Sequence, residues 1–307
     1  MEFLYLLEKL RVPGLNEFMV AITEFGSETA FLAVALILFW CVDKRQGYYI
    51  MSVGFVGTIA NQFLKLLCRI PRPWVLDENF TILEQAREGA TGYSFPSGHT
   101  QNSVGTFGGV AYTTKNKVVR WICIALAILV PFSRMYVGVH TPKDVLVAAA
   151  MALVLIFIIK PLVYREDGKG MKLLIPVMIA ISLAFLAYVE FGSFPADMDA
   201  TNLEHGYQNA YTLLGALLGV SVVYVVDEKK LHFQVEAGLL GQILKVVLGL
   251  VIVLLVKSGL KAPLNALCGG HMIARAIRYF LIVIVAGIIW PLTFPWFAKL
   301  GKKEKKA

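Results

Sequence analysis

The chain has 307 residues, of which 57% are apolar and only 16% are charged, and its mean hydropathy is +0.67. Soluble globular domains carry about 25% charged residues, so this composition excludes that class and indicates a protein of the lipid bilayer. The formal net charge is +8, but the lysines and arginines lie mainly in short loops between apolar segments. That distribution is typical of membrane topology and argues against nucleic-acid binding.

Residues 1–24 mix apolar with charged side chains and are interrupted by Pro13 and Gly14. A cleavable signal peptide has a continuous apolar stretch, which this segment lacks. The pattern instead predicts interfacial helices that lie along the membrane surface.

Long apolar segments follow, each close to the length of about 20 residues that crosses the hydrocarbon layer. Backbone polar groups find no water there, so such segments must be helical. The sequence therefore predicts an all-α protein, a polytopic membrane helix bundle of about nine transmembrane helices, with eight or seven as alternatives. The predicted spans are residues 26–42, 47–67, 98–114, 119–136, 144–162, 173–191, 207–226, 237–257 and 275–297.

Lysine and arginine clusters lie at alternate ends of consecutive spans, at residues 44–45, 115–120, 165–172, 229–230 and 299–306. Cytoplasmic loops are enriched in these residues, so we expect those ends and the C-terminus to be cytoplasmic. The opposite loops include the acidic stretch 190–204 and three polar clusters. These clusters should therefore face the periplasm, the cell exterior or a lumen.

The first polar cluster runs from Lys65 to Pro73, where the second span ends. Lys65 lies near the outer end of the span, and Arg72 follows in a segment stiffened by prolines. Two cations are thereby directed to one point, as an anion site requires. By itself the cluster also fits a snorkelling lysine with ordinary flanking charges.

The second cluster is Pro96-Ser97-Gly98-His99, at the predicted start of a helix. A helix N-terminus offers free backbone N–H groups to an anion, and Gly98 lets a phosphate approach the backbone. Ser97 adds a hydroxyl, and His99 in the first turn is placed to protonate a leaving oxygen. A serine and a glycine before a helix are also a common cap.

The third cluster runs from Ser133 to Asp144, between two spans. Asp144 lies four residues after His140; a carboxylate bonded to one ring nitrogen fixes the tautomer and leaves the other nitrogen free as a nucleophile. Arg134 supplies a planar fork of donors for phosphoryl oxygens. A lone histidine with a nearby aspartate would also fit a structural polar pair.

All three clusters fall on one predicted face, and together they suit phosphoryl transfer. The attacking and leaving atoms must lie roughly in line, with cations and N–H donors around the equatorial oxygens. Two histidines that flank one phosphate meet that requirement. A site that only bound phosphate would need the cations but neither a nucleophile nor an acid, so an enzyme is favoured over a phosphate-ligand transporter or scaffold.

The clusters resemble the tripartite signature of the type 2 phosphatidic acid phosphatase superfamily. The matching motifs are K-x6-R-P from Lys65 to Pro73, P-S-G-H from Pro96 to His99, and S-R-x5-H-x3-D from Ser133 to Asp144. The resemblance implies that His140 attacks phosphorus, that His99 is the general acid and that Asp144 orients His140. The implied phosphate-binding residues are Lys65, Arg72, Ser97, Gly98 and Arg134.

The resemblance covers residues 47–162 and implies a six-helix phosphatase core, which we place at residues 25–162 after the interfacial helices of residues 1–24. Residues 163–307 are predicted to add further C-terminal transmembrane helices. A nine-span layout with an outer amino terminus is similar to the glucose-6-phosphatase branch. No second catalytic set is found in the C-terminal part.

We expect hydrolysis of a phosphomonoester or pyrophosphate of a lipid through a phosphohistidine, with the bilayer supplying the substrate. Phosphatidate, phosphatidylglycerophosphate, a sphingoid phosphate and a polyprenyl pyrophosphate all remain open. A sugar phosphate or another organic phosphate is the alternative. A vanadate-dependent haloperoxidase would share the phosphate cradle, but those relatives are soluble.

No metal or cofactor is expected, and no protein partner is predicted. The four cysteines, Cys41, Cys68, Cys123 and Cys268, have neither metal-ligand spacing nor the pattern of a disulfide framework. The remaining histidines, His205, His232 and His271, are interpreted as loop or interface residues. Lys245 is expected to pair with Glu236 or to snorkel, and glycine pairs at 105 and 109 and at 215 and 219 are expected to pack helices closely.

Overall fold

The computed structural model describes residues 1–87, 89–196 and 198–300. Every regular element in these ranges is helical, which confirms the all-α prediction. The α-helices are α1 (Glu2–Glu8), α2 (Pro13–Glu24), α3 (Glu28–Ile37), α4 (Lys44–Cys68), α5 (Pro73–Leu76), α6 (Gly98–Ser103), α7 (Gly109–Thr113), α8 (Lys117–Tyr136), α9 (Pro142–Val163), α10 (Lys169–Phe191), α11 (Ala200–Val226), α12 (Leu239–Gly259), α13 (Lys261–Leu267), α14 (Ile273–Ile284) and α15 (Phe294–Phe297). Short π-helical segments lie at Leu38–Val42, Val104–Gly108, Asp227–Leu231 and Val285–Ile289, and 3-10 turns lie at Glu84–Ala86 and Pro291–Thr293.

Within the described residues, 7 helical stretches are long and apolar enough to cross a membrane, and a bent pair would make 8. The protein is therefore an integral membrane protein, and its count of spans in the described residues matches the predicted alternatives of seven or eight rather than nine. The difference lies at residues 98–114, which are helical from Gly98 to Thr113 but short and interrupted by a π-helical segment. The first part, α6, has the sequence GHTQNS, which is too polar for a lipid-facing span.

The bent pair consists of α2 and the stretch Glu28–Val42, which meet at an angle of 55°. The second arm matches the predicted first span at residues 26–42. The first arm lies in the segment predicted to be interfacial. The predicted domain division at residues 24 and 162 stays a prediction.

The chain forms two compact units. One contains Met1–Val34, Tyr49–Gly170 and Ser193–Gly206, and the other contains Ala35–Tyr48, Met171–Gly192 and Tyr207–Ala307. All three polar clusters belong to the first unit. Its helices place them at the end of α4, the start of α6, the end of α8 and the start of α9.

The basic loops of the first unit lie at the other ends of these helices. One loop joins α7, which ends at Thr113, to α8, which begins at Lys117. The other joins α9, which ends at Val163, to α10, which begins at Lys169. The polar clusters and these basic loops therefore occupy opposite ends of the helices, as the sequence predicts. The predicted cytoplasmic tail from Lys302 to Lys306 lies outside the described residues.

The glycine pairs do pack helices closely. A Cβ atom on Gly109 would lie 2.7 Å from Ile50 Cδ1 in the first unit. In the second unit, a Cβ atom on Gly215 would lie 2.1 Å from the carbonyl oxygen of Ala276, so α11 and α14 touch through their backbones.

Lys245 in the second unit is fully buried and makes contacts that differ from the expected pairing with Glu236 or snorkelling. Its Nζ donates hydrogen bonds to the carbonyl oxygens of Trp40 at 2.9 Å and Val235 at 2.7 Å. It also lies 4.4 Å from the centre of the Phe294 ring. The α12 residues that are buried with it are Gly241 and Gly249, four positions to either side.

The four cysteines are all free thiols. His271 packs edge-on against Tyr211 with ring centres 6.1 Å apart, and its Nδ1 accepts a hydrogen bond from the Ile273 amide at 3.1 Å. This contact fits the expected interface role of His271.

Candidate active site

His140 lies in the short connection between α8 and α9 and is 1% exposed. Its Nε2 is 2.9 Å from Arg72 Nη1. A guanidinium group can only donate, so Nε2 must accept and carries the lone pair. The proton of the neutral ring is therefore on Nδ1, which faces Ser94 Oγ at 3.4 Å and Asp144 Oδ2 at 3.5 Å. In this tautomer Nε2 carries the lone pair that the predicted nucleophilic role requires.

Asp144 is fixed by the start of α9. The Thr141 side chain accepts a hydrogen bond from the Asp144 amide, and Asp144 Oδ2 accepts one from the Thr141 amide at 2.7 Å, which together form a capping box. Pro142 occupies the first helical turn, where its missing N–H is not needed. The helix cap thus holds the carboxylate beside His140.

Ser94 also holds Asp144, and the sequence analysis missed this residue. Its side chain is 0% exposed, and its Oγ donates a hydrogen bond to Asp144 Oδ2 at 2.6 Å. The 3.5 Å separation between His140 Nδ1 and Asp144 Oδ2 is long for a hydrogen bond. The Ser94 hydroxyl lies close to both atoms and therefore links the two side chains. The sequence signal for Ser94 is its position directly before Phe95-Pro96. A serine in a loop is usually exposed to water, so this position does not by itself indicate a buried contact.

Arg72 is anchored mainly by backbone carbonyls. Its Nε donates to Gly92 at 2.9 Å, its Nη1 to Val139 at 3.0 Å and its Nη2 to Thr91 at 2.7 Å. Only its contact with His140 Nε2 points toward the reacting position. Arg72 therefore holds two backbone segments of the site in place and also adds positive charge to it.

Lys65 contacts the loop that precedes α6. The Nζ atom of Lys65 donates a hydrogen bond to the carbonyl oxygen of Tyr93. Lys65 and Arg72 thus bind three successive carbonyls of residues 91–93, directly before Ser94. The cations of the first motif shape the loop that carries the serine and leads into the second motif.

The second motif begins α6 as predicted. Ser97 is the N-cap, and its side chain accepts a hydrogen bond from the Thr100 amide. The Ser97 amide donates to the carbonyl oxygen of Asp144 at 3.1 Å, which ties the start of α6 to the start of α9. Gly98 faces Asn61, whose Oδ1 would lie 3.9 Å from an added Cβ atom.

His99 lies in the first turn of α6, beside Gly89. A Cβ atom on Gly89 would be 3.8 Å from both Cε1 and Nε2 of the His99 ring. The edge of the ring that carries Nε2 therefore faces a glycine rather than a side chain.

Arg134 is 1% exposed at the end of α8. Its Nη1 donates to Thr23 Oγ1 at 2.7 Å. Its Nε and Nη2 have no hydrogen-bond partner among the described residues. A buried guanidinium group with two unused donors is suited to binding an anion.

Positive charge surrounds His140. Burial lowers the pKa of the His140 imidazole well below its ordinary value, and neighbouring positive charge lowers it further. The neighbours that contribute are, in decreasing order, Arg72, Arg134, Lys65 and His99. The ring is therefore neutral at neutral pH, as a nucleophile must be.

The structure thus brings every predicted site residue into one unit and adds Ser94 and Thr23. The catalytic and binding roles of these residues stay predictions. No three His, Cys, Asp or Glu side chains in the described part of the chain are arranged to hold a metal ion.

The sequence matches known families over most of its length. Residues 45–167 match the PAP2 superfamily, and residues 211–303 match the transmembrane extension of PAP2 superfamily phosphatases. No solved structure matches the chain.

Three curated relatives have similar identities to the chain. Undecaprenyl-diphosphatase BcrC of Bacillus subtilis (strain 168) is 31% identical over 150 residues, which cover 47% of this chain and 72% of that protein. Phosphatidylglycerophosphatase B of the same organism is 30% identical over 164 residues, 49% of this chain and 76% of that protein. An undecaprenyl-diphosphatase of Sulfolobus acidocaldarius is 29% identical over 147 residues, 47% of this chain and 69% of that protein. The similarity confirms what the three motifs predicted: the chain belongs to the PAP2 superfamily and is a membrane phosphatase.

Proposed function

We propose that this phosphatase acts on the terminal phosphate of a membrane lipid and that His140 forms a phosphohistidine. The observation that carries the proposal is the 2.9 Å contact between His140 Nε2 and Arg72 Nη1. It places the lone pair of the neutral imidazole among cations. A phosphate attracted by those cations would therefore meet the nucleophile.

In the first step, Arg72 Nη1 gives up its hydrogen bond to His140 Nε2 and donates to a phosphoryl oxygen instead. The released Nε2 lone pair attacks phosphorus as the bond from phosphorus to the leaving oxygen breaks. Burial and the charges of Arg134, Arg72 and Lys65 lower the pKa of His99, and the anionic substrate phosphate offsets those charges, so that His99 takes up a proton with the substrate. His99 gives this proton to the leaving oxygen, and the lipid product leaves as an alcohol or a lower phosphate. The Nδ1 proton stays on His140 and is held by Ser94 and Asp144, which stabilises the positive charge that the ring gains.

In the second step, a water molecule attacks the phosphorus of the phosphohistidine. His99 takes a proton from this water, and the electron pair of the P–N bond returns to Nε2. Inorganic phosphate is released and both histidines regain their starting states. The same residue thus serves as acid and then as base.

Lys65, Arg72 and Arg134 would supply the positive charge that the equatorial phosphoryl oxygens need. The N-terminus of α6, with Ser97 and Gly98 at its first positions, adds the positive end of its helix dipole, while the Ser97 amide stays bonded to the Asp144 carbonyl oxygen. These donors account for the charge of the transition state with residues of this chain, so we expect the reaction to need no metal.

The lipid class is supported by the relatives, whose names refer to an undecaprenyl diphosphate and to phosphatidylglycerophosphate. Both are terminal phosphates on a molecule anchored in the bilayer. A substrate of this kind would reach the site laterally, and the membrane would supply the affinity for its tail.

The decisive assay measures phosphate release from three substrates in detergent: undecaprenyl diphosphate, phosphatidylglycerophosphate and glucose 6-phosphate. We expect turnover of at least one lipid and acid-labile, base-stable phosphate on the quenched protein. The variant His140→Ala should show neither. Preference for glucose 6-phosphate would overturn the lipid assignment, and turnover without a phosphoprotein would overturn the covalent step.

We also propose that the site faces the periplasm, the cell exterior or a lumen. The support is the position of the basic loops at the opposite helix ends. In a cysteine-free background, Glu78→Cys near the site should react with an impermeant thiol reagent from outside intact cells, and Lys115→Cys should not. The reverse pattern would contradict the orientation.

A further inference from the structure

The N-terminal helices contact the candidate site directly, although they lie before the family match at residues 45–167. Thr23, in the last turn of α2, is 1% exposed. Its Oγ1 accepts the hydrogen bond from Arg134 Nη1 at 2.7 Å. Two buried polar groups thus meet across a separation of 111 residues.

This contact determines which donors of the guanidinium group stay without a partner among the described residues. In arginine, Nε–H and one Nη2–H point the same way and form an edge that can bind two oxygens of one anion. Thr23 occupies Nη1, and Nε and Nη2 are the atoms without a partner among the described residues. The threonine therefore leaves the two-donor edge available to phosphate.

The turn between α2 and α3 packs against the second histidine. A Cβ atom on Gly26 would lie 2.8 Å from the backbone oxygen of His99 and 2.9 Å from its Cβ atom. Asn102 Nδ2 donates to the Gly26 carbonyl at 3.3 Å. The backbone of this turn thus touches the first turns of α6, which carry His99.

Other contacts fix the N-terminal helices on α8 independently of Thr23. Arg11 Nε donates to the carbonyl oxygen of Tyr136 at 3.0 Å. The Tyr136 hydroxyl donates to Asn16 Oδ1 at 2.8 Å. The helix therefore has anchors that do not involve Arg134, which allows the role of Thr23 to be separated from docking.

From these contacts we propose that Thr23 is a positioning residue for phosphate binding, through which the N-terminal segment completes the cradle. The proposal rests on the proposed function, since it takes Arg134 to be a phosphate ligand. The hydroxyl of Thr23 does not touch the substrate. It holds Arg134 in the orientation that allows bidentate binding.

The test is inhibition by inorganic phosphate in detergent, together with KM and kcat for the best lipid substrate. Thr23→Val keeps the shape and removes the acceptor, so we expect the inhibition constant and KM to rise about tenfold, as one lost hydrogen bond to a charged group would give. Thr23→Ser should restore both to within about twofold. A Val variant with wild-type phosphate affinity would overturn the proposal.

Tyr136→Phe is the matched control, because it breaks another hydrogen bond between α2 and α8. We expect its phosphate affinity to stay within about twofold of wild type at a similar thermal midpoint. If Tyr136→Phe and Thr23→Val weakened phosphate binding equally, general docking of α2 would explain both, and the specific role of Thr23 would be refuted.

The variant Arg134→Lys separates this inference from the proposed function. Lysine cannot bind two oxygens through a planar edge, so phosphate affinity should fall, and adding Thr23→Val should lower it no further. Wild-type affinity in Arg134→Lys would show that the assigned role of Arg134 is wrong. If phosphate affinity in the double variant fell by the product of the two single losses, the role of Arg134 would stand, and only its coupling to Thr23 would be overturned.

Discussion

The buried hydroxyl of Ser94 contacts both Asp144 and His140, and Ser94→Ala measures what this contact contributes to catalysis. The variant removes a 2.6 Å hydrogen bond to the carboxylate, of a kind that contributes about 1.5–3 kcal/mol. Asp144 Oδ2 keeps the Thr141 amide at 2.7 Å, so we expect the lower part of that range. About 1.5–2 kcal/mol corresponds to a loss of about 10- to 30-fold in kcat. KM should change little, because Ser94 holds the nucleophile and not the phosphate.

The assay is steady-state phosphate release at saturating substrate for Ser94→Ala, Asp144→Asn and the double variant. Residues that act as one unit are not additive, so the double variant should be no slower than Asp144→Asn alone. Ser103→Ala is the control: it removes a buried hydroxyl that donates to the Thr100 carbonyl at 3.2 Å instead of to the Asp144 carboxylate. A kcat for Ser94→Ala within about twofold of wild type, or losses that multiply, would refute the shared contact.

Four further predictions follow from the site and the packing. His140→Ala should abolish turnover of every substrate, whereas His99→Ala should retain more activity on p-nitrophenyl phosphate than on lipid, since a weakly basic leaving oxygen needs little protonation; equal losses on both would contradict the assignment. Phosphate release should survive EDTA, because lysine and arginine supply the charge, and a loss that Mg²⁺ or Zn²⁺ restores would count against this. The pKa of His140 is lowered, so protonation of this nucleophile should reduce kcat/KM only below the ordinary imidazole value of about pH 6.5; a nucleophile that titrates above this pH would be inconsistent with the burial. Gly215→Ala should destabilise the fold by about 1–3 kcal/mol through overpacking against the Ala276 carbonyl, while Gly259→Ala, which meets nothing within 4 Å, should not lower the thermal midpoint.

The sequence predicts the placement of the site residues well where local geometry sets that placement. The relation of His140 to Asp144 follows from their spacing at the start of a helix, and the Thr141 capping box realises it. The convergence of the three motifs follows from their positions at helix ends. These features need only short-range geometry and alternating membrane topology.

The contacts missed by the sequence analysis depend on tertiary packing. Thr23 lies in a mixed apolar and charged helix, and nothing near it in the sequence indicates that it reaches Arg134. The segment at residues 98–114 was expected to be a span because its second half is apolar, although α6 is polar and lies within the protein. Lys245 was expected to find a carboxylate, whereas backbone carbonyls and an aromatic ring satisfy it.

The small buried face of α12 has a consequence for how this helix is placed. Apart from Gln242 and Lys245, residues 239–256 of this helix are apolar or glycine, so these other residues give little preference in a bilayer for any rotation about the helix axis. Gly241, Lys245 and Gly249 lie on one side at intervals of four residues, and the two glycines leave room for Phe297 at one position and for Trp40 and Trp290 at the other. A quarter turn of the helix would carry the ammonium group of Lys245 away from its carbonyl partners and toward lipid, where a charge is unfavourable. Lys245 thus favours one rotation of α12 about its own axis.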